Sequence, residues 1–118
     1  MHKATTVLAA ICCALPASAA DLPGLMRSRP VLVRDADIGM YDLERCILSV
    51  DQPNLPFVYR QPDRPAEELV VWDGTGGGLG GVAAAARIEG VERATLTFWG
   101  REKFLRRIET CVGLRDPG

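Results

Sequence analysis

Apolar residues recur at helical spacing in two places along the chain and at strand spacing in the stretch between them. Leu43, Cys46, Ile47 and Val50 fall at i, i+3, i+4 and i+7, which predicts one buried face of a helix over residues 39–50. Asp37 stands as its N-cap, Asp42 and Glu44 lie in the first turns where the helix dipole favours acids, and Pro53 ends it. Phe104, Leu105, Ile108, Cys111 and Val112 form a second apolar stripe, with Arg101, Lys103, Arg106, Arg107 and Glu109 on the remaining positions. Glu102 is one turn from Arg106, an ion-pair spacing, and Gly113 stands where a left-handed residue closes a helix.

Between these helices the pattern changes to short runs rich in aromatic and β-branched residues. Phe57, Val58, Tyr59 and Arg60 read as one strand, bounded by the turn at residues 54–56 and the proline-bearing turn at 61–65. Leu69, Val70, Val71 and Trp72 give the strongest strand signal. In residues 91–99 the alternation of Thr95, Leu96, Thr97 and Phe98 puts Ala94, Leu96 and Phe98 on one face. Residues 82–88 carry two signals, because four alanines favour a helix while the short length and flanking glycines favour a strand. The strand reading makes a hairpin with 91–99 through the turn at Glu89 and Gly90.

This order predicts an α+β fold, a small antiparallel sheet of three to four strands packed against two helices. Each helix presents one cysteine, Cys46 or Cys111, on its apolar face, so a disulfide between them fastens the two helices on one side of the sheet. Residues 21–35, with two prolines and no periodicity, read as a flexible lead-in with a short extended piece at 31–33. Residues 36–118 then form the single domain.

The first twenty residues are patterned differently. Lys3 supplies a positive start, residues 7–15 are an apolar run, Pro16 breaks it, and Ala17, Ser18, Ala19 and Ala20 offer the small residues a signal peptidase accepts before Asp21. The run is about half of the ~20 residues needed to cross a bilayer, so residues 1–20 read as a cleaved export signal and not as a membrane span. Localisation is therefore expected to be periplasmic or secreted.

Cleavage changes the chemistry that remains. Of 118 residues 98 are left, and the 14 basic residues become 13 against 15 acids, a balance that offers no bulk attraction to nucleic acid. His2, the single histidine, goes with the signal, which removes Ser-His-Asp and Cys-His arrangements and the commonest metal ligand. Cys12 and Cys13 go too, and the two remaining cysteines, far apart in sequence in an exported chain, read as a structural disulfide.

One motif invites a chemical reading. Gly76, Gly78 and Gly81 satisfy G-x-G-x-x-G, and residues 75–81 are similar to the glycine-rich turn of short-chain dehydrogenases, although the last glycine of that pattern falls on Val82. The resemblance covers seven residues. Six glycines in the eight positions 74–81 meet the spacing almost automatically, the chain is too short for paired βαβ halves, and no acid follows to hold a ribose. The stretch reads as a loop, and no cofactor is expected.

Trp72 and Trp99 end strands on either side of that loop. With Gly76 and Gly78 they are the candidate contacts for a ligand or partner. The acids at Asp35, Asp37, Asp42, Glu44, Glu67 and Glu68 read as caps and solvated charge, and no metal site or catalytic residue is assigned. The expectation is a non-catalytic interaction protein that binds another protein or a cell-envelope component. The alternatives are a small-ligand domain with the glycine-rich loop as lid, and a carboxylate-dependent hydrolase.

Overall fold

The computed structural model describes residues 21–74 and 81–113. The expected signal at 1–20, the candidates Gly76 and Gly78, and Pro117 lie outside the described residues. Along the chain run α1 (Leu22–Arg27), β1 (Leu32–Asp35), α2 (Met40–Ser49), β2 (Phe57–Arg60), β3 (Glu67–Asp73), β4 (Val82–Glu89), β5 (Thr95–Gly100) and α3 (Glu102–Ile108). Residues 82–88 are thus strand, as the hairpin reading required.

The strands form one antiparallel sheet in the order β1-β5-β4-β3-β2. Five strands correct the three to four expected from the sequence. The additional one, β1, lies in the stretch read as lead-in and pairs Leu32 with Phe98 and Val33 with Thr97. Four residues are too few to show a period, and their partner is far away in sequence. A third helix, α1, also appears there: Asp21 caps it by accepting from the Gly24 amide, and Pro23 sits in the first turn, where its missing N–H costs nothing.

Period-two geometry divides the sheet into two unlike faces. On one, Val70, Trp72, Ala84, Ala86, Ile88, Leu96 and Phe98 pack with Met40, Leu43 and Ile47 of α2 and Phe104, Leu105 and Ile108 of α3. The alanines of β4 leave room for the helical layer, and Phe98 sits 5.9 Å from the Trp72 ring. Cys46 and Cys111 are joined, with Cα atoms 5.8 Å apart, so the disulfide ties α2 to the turn that follows α3. The expected pair of Glu102 and Arg106 is formed at 3.3 Å, and Gly113 closes the turn with φ of +70°.

Asp37 does not cap α2. Gly39 is the N-cap, because the chain there runs against the backbone of residues 91–92: a Cβ on Gly39 would lie 2.2 Å from the Val91 carbonyl oxygen, the atom that accepts from the Met40 amide. Asp37 instead faces Arg93 across 3.7 Å.

Candidate functional site

The second face of the sheet is where the fold leaves apolar groups unspent. The register sets its side chains in rows that cross the strands. One row runs Trp99, Ala85, Val71, Phe57, and the next runs Val33, Thr97, Arg87, Leu69, Tyr59. A third closes the end of the face with Asp35, Thr95, Glu89 and Glu67.

Only part of this face is covered. The six-residue α1 packs on β4 and β5, and Trp99 beneath it donates its indole N–H to the Ser28 carbonyl at 3.1 Å. Arg87 stacks on the Trp99 ring, 5.3 Å from its centroid. On either side of α1 the face is open: Phe57 is 52% exposed, Tyr59 53% and Val33 60%. The rings of Phe57 and Tyr59 lie 6.5 Å apart and form a continuous aromatic strip on β2. Adjacent large apolar groups on an open sheet face offer a surface on which a partner can pack.

The acidic row has its own signature. Glu67 and Glu89 stand directly opposite each other on β3 and β4, an arrangement that costs stability in a sheet. Each is relieved from the side, Glu67 by Arg64 at 3.5 Å and Glu89 by Arg87 at 3.3 Å. At the far end Asp35 accepts from the Thr95 hydroxyl at 2.8 Å. Beside it an open, polar hollow of about 300 Å³ is lined by Asp35, Ala36, Asp37, Arg93, Ala94 and Thr95.

β2 has a different function on its other side. Arg60, its last residue, turns toward the helical layer and donates through Nε to Glu68 at 3.0 Å and through Nη2 to Glu44 of α2. The guanidinium lies 5.5 Å from the Tyr41 ring centroid. Glu68, read from the sequence as solvated, is buried with its side chain wholly out of solvent, and its Oε1 has no hydrogen-bond partner. Burial, and secondarily Glu44, push its carboxyl above the usual glutamate range against the pull of Arg60.

No protein-family model matches the chain, nor does any curated protein or solved structure. Function has to be read from the residues themselves.

Trp72 and Trp99, singled out from the sequence, stand on opposite faces of the sheet and are both buried. Trp72 donates its indole N–H to Gln52 at 3.0 Å, and Gln52 in turn donates to the Ile47 carbonyl at the end of α2. The two indoles do not share one wall. Phe57 and Tyr59 were read only as strand formers, although their period-two spacing already placed both rings on one side of β2. Among the described residues no three His, Cys, Asp or Glu side chains gather in a way that holds a metal ion. No helix among them is long and apolar enough to cross a membrane.

Proposed function

We propose that the chain is an exported, non-catalytic interaction protein, periplasmic or secreted, that binds an apolar segment of another protein on the open face beside β2. The observation that carries this reading is the pair Phe57 and Tyr59, half exposed on a strand whose opposite side is anchored by Arg60. Export is supported by the patterning of residues 1–20 and fits the Cys46–Cys111 disulfide.

Charge specifies the occupant further. The end row holds Asp35, Glu89 and Glu67 and no base, so the segment that fits carries apolar residues over Phe57 and Tyr59 and basic residues where it crosses that row.

The test is mild crosslinking of a tagged, exported copy in its native envelope, repeated with Phe57→Ser/Tyr59→Ser and with Glu67→Gln/Glu89→Gln. Both rings are half exposed, so the first variant is expected to keep the wild-type unfolding free energy within about 1 kcal/mol and to lose the crosslinked species. The second is expected to weaken it and to reduce its sensitivity to salt. A partner retained in full by the Phe57→Ser/Tyr59→Ser protein would overturn the assignment of the face.

A further inference from the structure

Two carboxylates share one guanidinium where β2 meets α2. Glu44 is largely buried, the Glu68 side chain is wholly so, and Arg60 bonds to both. With both glutamates ionised the cluster holds one negative charge in excess, and buried charge without a partner is expensive. Glu44 and Glu68 both accept from Arg60, so one proton on the carboxylate pair removes the excess charge. It also relieves a buried oxygen that otherwise has no partner.

We propose that Glu44, Arg60 and Glu68 form a proton-dependent anchor for β2. With one proton held by the carboxylate pair the cluster is neutral and fastens the strand, and with that proton released to solvent the uncompensated charge loosens it.

The placement gives this anchor leverage. β2 has four residues at the edge of the sheet, with one neighbouring strand, and Arg60 is its last residue before the turn into β3. The groups facing Glu68 are few. From α2 come Glu44 and, through its stacking on Arg60, Tyr41; from β2 comes Arg60; from β4 the opposite residue is Ile88, which carries no charge.

The sign follows from the direction in which burial moves Glu68. Burial holds the Glu68 carboxyl above its ordinary range in the fold although Arg60 pulls it down, and release of β2 opens it to water, so docking takes up a proton. The anchor is complete below the ordinary glutamate value of about 4.3 and is lost as pH rises through the higher value of the docked state. Between these limits release of β2 is favoured about tenfold more per pH unit. Only the consequence for binding rests on the proposed contact role of Phe57 and Tyr59, because loosening β2 would misplace both rings.

Amide hydrogen exchange of β2, read at the alternate amides of residues 57–60 that point to β3, followed by NMR from pH 4.5 to 8.5 and corrected for the intrinsic rates, tests the anchor without any partner. The wild type is expected to lose protection at these amides as pH rises, while Ala85 and Arg87 in the middle of the sheet stay constant. Glu68→Gln, the neutral isostere of the protonated acid, and Glu44→Gln, which leaves one carboxylate for one guanidinium, are both expected to flatten the profile. A pH-independent profile in the wild type, or the wild-type slope retained in both glutamine variants, would overturn the proposal. Should exchange behave as expected while crosslinking through Tyr59 fails at every pH, the anchor stands and the binding role of the face falls.

Discussion

Replacing Cys46 and Cys111 by alanine together is expected to lower the unfolding free energy by roughly 4 kcal/mol, from the chain entropy released when a loop of this length is opened. The two cysteines are separated by 65 positions, so the bridge restrains most of the described chain in the unfolded state. It joins α2 to the turn beyond α3, the two parts of the helical layer, which also meet through packed apolar side chains. Against a total stability of about 5–15 kcal/mol for a domain, that loss leaves a small or absent margin. Urea denaturation of wild type, reduced wild type and the double alanine variant measures it. Equal midpoints for all three would show that the helical layer needs no staple.

Phe98→Ala is expected to cost about 3–5 kcal/mol. Phe98 is fully buried in the fourth position of β5, opposite Leu32 on one side and Ala86 on the other, with the Trp72 ring 5.9 Å away. Because its strand neighbours are fixed by backbone pairing on both sides, the sheet cannot close over the space left by the ring. The same deletion at Phe57, half exposed on the other face, is expected to cost under about 1 kcal/mol. Thermal or urea unfolding of the two variants separates them. A loss at Phe98 no greater than at Phe57 would contradict the division of the sheet into a core face and an open one.

How far the sequence alone reaches is set by whether a signal is local. The alternation of Leu96 and Phe98 and the stripe of Phe104, Leu105 and Ile108 in α3 are each carried within one element and match the expected faces, whereas Cys111 and Val112, expected on the same helix, are buried in the turn beyond it. The pairing of Cys46 with Cys111 was also readable, because both cysteines sit on apolar stripes. β1 was not, since its four residues become a strand only by meeting β5 across the chain. Nor was the N-cap of α2, where Gly39 is dictated by the approach of residues 91–92.

The site was harder to find for the same reason. Glu68 looks like a surface acid in the run Glu67, Glu68, yet period two places it on the side of Val70 and Trp72, and only the arrival of Arg60 and Glu44 makes that side habitable for a carboxylate. Phe57 and Tyr59 are visible as a period-two aromatic pair, but their exposure depends on where α1 lies. Trp72 and Trp99 drew attention by type and position, while each has its N–H satisfied within the fold.

The most direct experiment places a photo-crosslinking phenylalanine analogue at position 57, 59 or 103 of the exported protein and irradiates it in the native envelope. Lys103, exposed on α3 in the opposite layer, is the control. If the open face binds a protein segment, discrete adducts form from positions 57 and 59 and not from 103. Excess unlabelled wild type then suppresses them, and excess Phe57→Ser/Tyr59→Ser protein does not. Adducts of twice the chain mass would show a second copy on the face in place of a foreign partner. Equal labelling from all three positions, or none from 57 and 59, would contradict a binding role for the β2 face.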